Sequence, residues 1–295
     1  MSKIGIVTVL YNSERVLEDF FNTLEKQTYK DFTLYIIDNT SSDQSLAKAK
    51  KLSESISFPC VFFEESKNWG IAKGNNIGIL AALKDNCQYI ILSNNDIFLN
   101  HEDTIEILLK KLENSNIDII TPKIYKFSNR SEIWAAGGKF SFFHTKTIHI
   151  GANRMDDGTY NLEKRIDFTP TCFVLIKKRV FQEIGLMDES FFVYFDDTDF
   201  IYRSLKKGFK IIYTPETSIL HNESSSTGGM SYFKIYQLSK NQIIYTNKHF
   251  SRSILGLLLL RNWIIHYLYH YFKFSKDQIR AERNGLIDGM KYIKN

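Results

Sequence analysis

The densest group of acidic side chains in the sequence lies among aromatic residues between positions 187 and 199. Asp196, Asp197 and Asp199 fall within four positions, directly after Phe191-Phe192-Val193-Tyr194-Phe195. Adjacent carboxylates in a partly apolar cleft raise the pKa of one of them, and a carboxylate with a raised pKa suits a general base. The structural alternative is that Asp196 or Asp197 caps the N-terminus of a helix.

A second set of candidate ligands follows two strand-like runs. Ser93-Asn94-Asn95-Asp96 comes directly after the apolar run that ends at Leu92, and His221 ends a run that begins near Pro215. Oxygen side chains at the end of a strand can hold a hard divalent cation against a diphosphate, and histidine is a common metal ligand. Taken alone, the first group is more typical of a turn, and a lone histidine is more often structural.

Polar residues also follow the first two predicted strands. Tyr11 and Asn12 come directly after Val9-Leu10, and Asp38-Asn39 ends the second strand. In a parallel α/β sheet, ligands bind beyond the carboxyl ends of the strands. There Asp38 can accept a hydrogen bond from a ribose hydroxyl or a base N–H, although a turn or cap role is the alternative. No GxGxxG follows the first strand, which argues against a dinucleotide site.

The segment 67–78 combines three glycines with three asparagines. They are Asn68, Gly70, Gly74, Asn75, Asn76 and Gly78. Glycines let backbone amides approach a ligand, and the helix that follows offers its N-terminus to an anion. A tight loop with close helix packing is the structural alternative.

The elements that carry these residues alternate between strand and helix through the first half of the chain. Strands are predicted at 4–10, 33–37, 61–63, 89–92, 117–120, 167–177 and 210–213, and helices at 13–24, 41–55, 72–83, 101–112, 180–184 and 199–206. We expect the strand at 210–213 to end at Thr214-Pro215, and the chain to be helical after residue 232. This alternation predicts an α/β fold with a mostly parallel sheet and helices on both faces.

Charge is unevenly distributed along the chain. Residues 234–295 hold eleven Lys and Arg against three Asp and Glu, a net charge of +8, whereas residues 1–233 carry −3. The negative body argues against a nucleic-acid partner. Arg261, Asn262 and two histidines interrupt the apolar stretch 254–272, so we expect a helix with one apolar face that lies on an anionic membrane surface rather than a span. Packing on the body or in a homodimer is the alternative.

The compartment is predicted from two further observations. The N-terminal residues lack the pattern of a secretory signal. The three cysteines are odd in number and lack metal-ligand spacing, which indicates buried thiols in a reducing compartment. We therefore expect a cytoplasmic protein, with a peripheral position at the inner face of the plasma membrane if the tail binds lipid.

Taken in order, these blocks resemble the family 2 glycosyltransferases of the GT-A fold, particularly bacterial rhamnosyltransferase-like members. The resemblance covers residues 3–245 and depends on six blocks, which begin at Val7, Ile37, Asn68, Asn94, Asp188 and Pro215. It implies a GT-A domain at 1–233, a Rossmann-like nucleotide-binding sheet with flanking helices. Within it, residues 1–122 would bind the nucleotide sugar and 123–233 the acceptor. Residues 234–295 would form a basic, aromatic helical tail.

The resemblance implies transfer of a sugar, rhamnose or another hexose, from a dTDP- or UDP-sugar to a hydroxyl of a glycan or lipid-linked glycan, with inversion at the anomeric carbon. Such a reaction belongs to bacterial surface polysaccharide synthesis. A catalytically silent sugar-nucleotide-binding protein and a nucleotidyltransferase are the alternatives.

Roles for single residues follow from the same resemblance. Asp197 would be the catalytic base, and Asp96 and His221 would hold Mg²⁺ or Mn²⁺. The remaining substrate-binding positions are Thr8, Tyr11, Asn12, Asp38, Asn39, Asn68, Gly70, Gly74, Asn75, Asn94, Asn95, Asp196 and Lys240.

Five positions depart from the pattern that the resemblance implies. Asn94 and Asn95 replace acids found in many members, and Asp196 replaces a glutamate. Thr171 stands where many members have glycine, which predicts a narrower pocket. Lys240 stands in place of an arginine and loses its bidentate contact with phosphate.

Overall fold

The computed structural model describes residues 4–141, 145–222, 231–265 and 275–293. The strands are β1 Ile4–Leu10, β2 Phe32–Asp38, β3 Cys60–Glu64, β4 Tyr89–Ser93, β5 Ile97–Leu99, β6 Ile119–Lys126, β7 Asn129–Ala135, β8 Gly138–Phe140, β9 Thr147–His149, β10 Lys164–Arg165, β11 Phe173–Lys177 and β12 Ile211–His221. The helices are α1 Leu17–Glu25, α2 Ser45–Ser53, α3 Ile71–Lys84, α4 Thr104–Glu113, α5 Lys178–Ile184, α6 Asp196–Lys207, α7 Tyr232–His249, α8 Arg252–Ile265 and α9 Lys276–Tyr292.

One large mixed sheet forms the centre of the fold, in the order β10-β12-β6-β11-β4-β1-β2-β3. The strands β4, β1, β2 and β3 are parallel, as predicted. Beyond them the sheet is mixed rather than mostly parallel, because β11 runs antiparallel to both β4 and β6, although β12 and β6 are parallel. Parallel neighbours need a long crossover, usually a helix. The described chain between β6 and β11 supplies hairpins and loops instead, including the antiparallel pair of β6 and β7.

The central strands are apolar on both faces because helices cover both sides of the sheet. Val7 and Ile37 belong to the core on the α3 side, and Ile4 and Ile6 belong to the core that includes α1 and α4. Gly78 lets α3 lie close to the sheet, since a Cβ there would be 2.8 Å from the Ile37 Cδ1 atom. This close contact holds the middle of α3 against β1 and β2.

Strand β12 is longer than the sequence predicts. It does not end at Thr214-Pro215; its parallel pairing with β6 shifts register between Thr214 and Ser218 and then continues to His221. A bulge accommodates the proline, which has no N–H to donate to the ladder. The extension carries His221 to the position opposite Ile97 of β5.

Three helices complete the described chain. Ile244 and Tyr245 of α7 join the core of the sheet domain, while Ile243 packs with Leu255 and Leu258 of α8 in a separate small cluster.

The boundary at residue 233 stays a prediction. Of the apolar stretch 254–272, positions 266–272 lie outside the described residues. Among the helices of the described ranges, none has the length and apolar content needed to cross a bilayer.

Candidate active site

A cavity of about 480 Å³ opens at the carboxyl ends of β1, β2 and β4. These ends meet at one edge of the sheet, which is where ligands bind in open α/β folds. Its walls are formed by Val9, Tyr11, Ser13, Asn39, Asn68, Gly70, Ile71, Asn75, Ser93, Asn94, Asn95, Asp96, Phe192, Val193, Ser231 and Phe233. The walls therefore come from the loops that follow β1, β2, β3 and β4, and also from the segment before α6 and the start of α7.

Eight of the residues predicted from sequence lie on these walls. They are Tyr11, Asn39, Asn68, Gly70, Asn75, Asn94, Asn95 and Asp96. Phe192 and Phe233, whose ring centroids are 6.2 Å apart, also line the cavity and were not predicted as site residues. Phe192 lies inside the aromatic and acidic segment 187–199, and this location could have identified it as a site residue. Phe233 comes from the start of a distant helix, which local patterns cannot relate to the cavity.

Asparagine side chains hold the loops of the cavity in place. The Asn39 amide donates to the Gly70 carbonyl at 2.9 Å, and the Asn95 amide donates to the Val9 carbonyl at 2.8 Å. Asn76, which the site prediction omitted, both donates to the Met187 carbonyl at 2.9 Å and accepts from the Met187 N–H at 3.0 Å. An asparagine can pair with both groups of one backbone residue. The segment 67–78 is thereby tied to the residues that precede α6.

Gly70 is the point of closest approach between these two segments. Its φ is +85°, and the next N–H, of Ile71, donates to the Phe192 carbonyl at 2.7 Å. A Cβ at Gly70 would lie 2.8 Å from the Phe192 carbonyl carbon and closer still to its oxygen. Glycine is required here both for the backbone conformation and for the space.

The substitution Gly70→Ala should therefore destabilise the fold by two effects. Gly185→Ala is the matched control, because Gly185 has a similar backbone conformation, with φ +76° and ψ −168° against φ +85° and ψ 178° at Gly70, but no atom within 4 Å of the position that a Cβ would take. Both variants incur the strain of an alanine in this region of φ/ψ space, which only glycine adopts readily. We expect Gly70→Ala to lower the free energy of unfolding by about 1–3 kcal/mol more than Gly185→Ala, the usual cost of overpacking. Denaturant unfolding measures both, and equal losses would contradict the close approach.

Three of the predicted residues near β1 and β2 do not line the cavity. Thr8 is fully buried within β1. Asp38 is also buried, and its carboxylate accepts from the Ser41 N–H, with oxygen–nitrogen distances of 3.3 and 3.2 Å. Asn12 accepts from the Ser42 N–H at 2.8 Å and borders a separate surface hollow of about 380 Å³. These side chains shape the turns beside the cavity, and their roles in substrate binding stay predictions.

Gly74 and Lys240 also lie away from the described walls. A Cβ at Gly74 would be 2.8 Å from a Val9 methyl group, so this glycine serves the packing of α3 on β1. Lys240 lies on α7 where α9 packs, and its carbonyl would be 2.8 Å from a Cβ at Gly289. The pKa of Asp288 on α9 is lowered chiefly by its hydrogen bond with Lys291 and also by the charge of Lys240. The role of Lys240 at the diphosphate stays a prediction.

Asp96 and His221 meet at the cavity edge. The His221 Nε2 atom is 3.3 Å from the Asp96 Oδ1 atom, and both side chains are largely buried. Pairing of β5 with β12 brings them together, and the Asn222 N–H donates to the Asp96 carbonyl at 2.8 Å. The Trp134 ring packs edge-on against the imidazole at 4.5 Å.

A divalent cation fits this pair as part of a shared coordination shell. Within the described ranges, no group of three or more His, Cys, Asp and Glu side chains is arranged to hold a metal. The His221 Nδ1 atom is buried and lacks a hydrogen-bond partner among the described residues. Mg²⁺-type sites often use one or two protein carboxylates and complete the shell with water and phosphate oxygens. In such a shell Asp96 and His221 would be the protein ligands.

The acidic pair lies at the start of α6, which begins at Asp196. Burial, reinforced by the charge of Asp197, raises the pKa of Asp196 well above its ordinary value. Burial also raises the pKa of Asp197, to about 6, although hydrogen bonds from Thr198 oppose the rise. The N-cap position belongs to Phe195, so neither aspartate caps the helix. Two adjacent carboxyl groups with raised pKa values avoid carrying two negative charges side by side.

Both candidate centres act electrostatically on one buried thiol. Burial raises the pKa of the Cys172 thiol, and the charges of Asp96 and of Asp197 both add to that rise. Cys172 precedes β11, and its carbonyl accepts from the Asn94 N–H at 2.8 Å. This thiol therefore lies where β4 ends and β11 begins.

A sheet of this order, with a cavity at the carboxyl ends of its strands, is typical of α/β proteins that bind a ligand at that edge. The chain belongs to glycosyl transferase family 2, whose family model matches residues 5–185. The family and the fold that the sequence blocks implied are confirmed.

Three comparisons describe the relationship. The chain is 24% identical over 274 residues to the low-salt glycan biosynthesis hexosyltransferase Agl10 of Haloferax volcanii, covering 90% of this chain and 84% of that protein. It is 25% identical over 235 residues to the dTDP-rhamnosyl transferase RfbF of Shigella flexneri, covering 75% and 69%. Its fold is similar to that of the mannosyltransferase PcManGT of Pyrobaculum calidifontis in complex with GDP-Man and Mn²⁺, with a TM-score of 0.59, 12% identity, and coverage of 98% and 75%.

Proposed function

We propose that this protein is an inverting hexosyltransferase that moves rhamnose or another hexose from a dTDP- or UDP-sugar to a hydroxyl group of a glycan acceptor. The observation that carries the proposal is Asp197, a partly buried carboxylate whose pKa is raised to about 6 and which follows the cavity-lining residues Phe192 and Val193. The name of the relative RfbF supports a dTDP-rhamnose donor, and that of Agl10 supports hexose transfer in glycan synthesis.

In the proposed reaction, Asp197 takes the proton of the acceptor hydroxyl while that oxygen forms a bond to the anomeric carbon. The bond between the anomeric carbon and the diphosphate oxygen breaks on the opposite face, and its electron pair leaves with the diphosphate. Attack and departure on opposite faces invert the configuration. Burial and the charge of Asp197 raise the pKa of Asp196, so this neighbour does not readily add a second negative charge beside the base.

Mg²⁺ or Mn²⁺, when bound, would supply positive charge against the leaving diphosphate. Asp96 and His221 would hold the ion, and the polar wall residues Tyr11, Asn39, Asn68, Asn75, Asn94 and Asn95 would orient the donor. The Mn²⁺ in the complex of the mannosyltransferase PcManGT supports this assignment by fold alone.

A thermal-shift panel of dTDP- and UDP-sugars, with and without Mn²⁺, tests this proposal together with an assay of nucleoside diphosphate release. We expect one donor to raise the melting temperature by mass action and to be turned over. A shift without release of diphosphate would favour the catalytically silent sugar-nucleotide binder. Exchange of pyrophosphate into a nucleoside triphosphate would favour a nucleotidyltransferase.

The proposal extends to a place of action, the inner face of the plasma membrane, where the acceptor would be a lipid-linked glycan of surface polysaccharide synthesis. Leu257, Leu260 and Ile264 are exposed along α8, within the segment 234–295 that carries a net charge of +8. Basic residues near an anionic lipid surface contribute about 1 kcal/mol each, and salt screens them but not the apolar contact. A homodimer through this face is the competing arrangement.

Flotation with anionic liposomes tests the membrane contact. We expect the full chain to float, with binding that weakens at high salt but persists, and the variant Leu257→Ser with Leu260→Ser to float less. Leu162→Ser is the matched control, because Leu162 is even more exposed but lies outside the tail. A protein that never floats and scatters light as a salt-insensitive dimer would contradict the membrane contact and support the dimer.

A further inference from the structure

The side chain of Asn241 on α7 forms hydrogen bonds to the loop that precedes the acidic pair Asp196-Asp197. It is fully buried, and its amide nitrogen lies 2.9 Å from the Val193 carbonyl and 2.9 Å from the Tyr194 carbonyl. Both amide hydrogens are therefore donated to two successive backbone groups, three and four residues before Asp197. The resemblance implied a phosphate contact for the neighbouring Lys240, whereas the Asn241 amide binds the loop.

The loop that Asn241 holds has an unfavourable backbone conformation. Tyr194 and Phe195 have φ values of +64° and +67°, and two successive non-glycine residues in the left-handed region are costly. Such strain persists only where the surroundings hold it, and it is concentrated at functional sites. The two left-handed residues turn the chain sharply into α6, so they determine the direction in which the Asp196-Asp197 turn projects.

The chemistry of the Asn241 site favours a specific clamp over simple filling of space. The amide oxygen of Asn241 is buried and has no hydrogen-bond partner among the described residues. A buried polar atom without a partner costs stability, and a leucine of similar volume would avoid that cost. The asparagine differs from leucine in donating two hydrogen bonds to the loop, which a leucine could not form.

A second contact from α7 holds the other side of the same turn. Asp199 is fully buried and accepts from His249 at 2.7 Å, while the Lys248 ammonium is 2.7 Å away. Burial would raise the pKa of Asp199, but the hydrogen bond from His249 and the charges of Arg203 and Lys248 lower it to about 2. The first turn of α6 is thus fixed to α7 before and after Asp197.

We infer that Asn241 is a positioning residue, which holds the strained Val193–Phe195 loop so that Asp197 projects toward the acceptor side of the donor cavity. The inference depends on the proposed function for its chemistry, because the benefit of the clamp is the orientation of the base. It also makes α7 part of the transferase machinery, although the sequence placed this helix in the tail.

The first test is Asn241→Ala in the full-length protein, with dTDP-rhamnose and UDP-glucose as donor probes. We expect kcat to fall by about 10²-fold, the scale for a misplaced catalytic group, with little change in the KM for the donor. Gln242→Ala is the matched control, since the neighbouring amide donates to the Thr145 carbonyl at 3.1 Å and does not touch the loop. An equal fall in kcat in both variants, or a change in the KM for the donor with kcat unchanged, would overturn the inference.

The second test adds Tyr194→Gly, which accepts a positive φ without strain. If Asn241 opposes that strain, Asn241→Ala should reduce kcat less in the Tyr194→Gly background than in the wild type. If Asn241→Ala alone does not fold, the effect of losing the Asn241 amide can still be measured by comparing the double variant with Tyr194→Gly. If Asn241→Ala reduces kcat by the same factor in both backgrounds, the result would contradict the clamp.

Hydrogen exchange of residues 191–199 separates this inference from the proposed function, because it needs no turnover. We expect these amides to exchange faster in Asn241→Ala than in the wild type and in Gln242→Ala. Unchanged exchange overturns the inference even in an active enzyme. Faster exchange in a protein whose wild type turns over no nucleotide sugar supports the clamp and refutes the transferase proposal.

Discussion

The variant Asp197→Asn is expected to lose turnover by about 10²–10⁴-fold, the range for a positioned general base, while it binds the nucleotide sugar as tightly as the wild type. Asparagine keeps the shape of the side chain but cannot accept the acceptor proton. The effect should therefore appear in kcat, and the Kd for the donor, measured by calorimetry, should stay unchanged.

Asp277→Asn is the control for this variant. Asp277 also lies in the first turn of a helix, α9, but it is exposed and remote from the cavity. Its replacement should leave kcat unchanged. Near wild-type turnover in Asp197→Asn would instead assign the base to another group, first Asp196 and then Asp199.

The raised pKa of Asp197 predicts two effects of pH with opposite consequences. Turnover should fall as pH decreases through about 6, because the carboxyl group becomes protonated. Stability should change the other way. The folded-state pKa lies above the ordinary value of 3.8, so the folded protein binds more protons between these two pH values and loses stability as pH rises through that window. Asp197→Asn removes the penalty and should melt at a higher temperature than the wild type at pH 7.

The second large effect is expected at the candidate cation site. Asp96→Ala and His221→Ala should each weaken donor binding in the presence of Mn²⁺ by at least about 10-fold, the scale for disturbed metal sites. EDTA should lower wild-type turnover, and added Mn²⁺ should restore it. The physical reason is that the two side chains, 3.3 Å apart, are the protein ligands that would place positive charge beside the diphosphate.

Asp103→Ala is the control for Asp96→Ala, because Asp103 is an exposed aspartate beyond β5 at the start of α4. Its donor affinity should equal that of the wild type with and without Mn²⁺. If EDTA leaves turnover unchanged and Asp96→Ala binds the donor normally, the cation does not take part in the reaction.

Residues 1–122, the proposed nucleotide-binding half, could be predicted more closely than the proposed acceptor half, 123–233, because their signals are local. The strand Ile4–Leu10 matches the predicted bounds, and α3 begins one residue before its prediction. Continuous apolar runs mark strands that are buried on both faces, and polar residues at their ends mark the ligand edge. Eight of the predicted substrate and cation positions accordingly line one cavity.

The acceptor half was less predictable because long-range pairing determines it. The extension of β12 past Pro215 depends on its pairing with β6 and with the three-residue strand β5. Helix α6 begins at residue 196 rather than 199, since the left-handed Phe195 starts it without a side-chain cap. The contact between Asn241 and the Val193–Phe195 loop joins positions almost fifty residues apart, which periodicity cannot indicate.

The most direct test of the central claim is proton NMR of the sugar during turnover of a nucleotide sugar, with an acceptor glycan and Mn²⁺. The account predicts that the first product formed has the anomeric configuration opposite to that of the donor, and that Asp197→Asn forms it at least about 10²-fold more slowly. A product that retains the donor configuration, or wild-type turnover in Asp197→Asn, would contradict the assignment of Asp197 as the base of an inverting transfer.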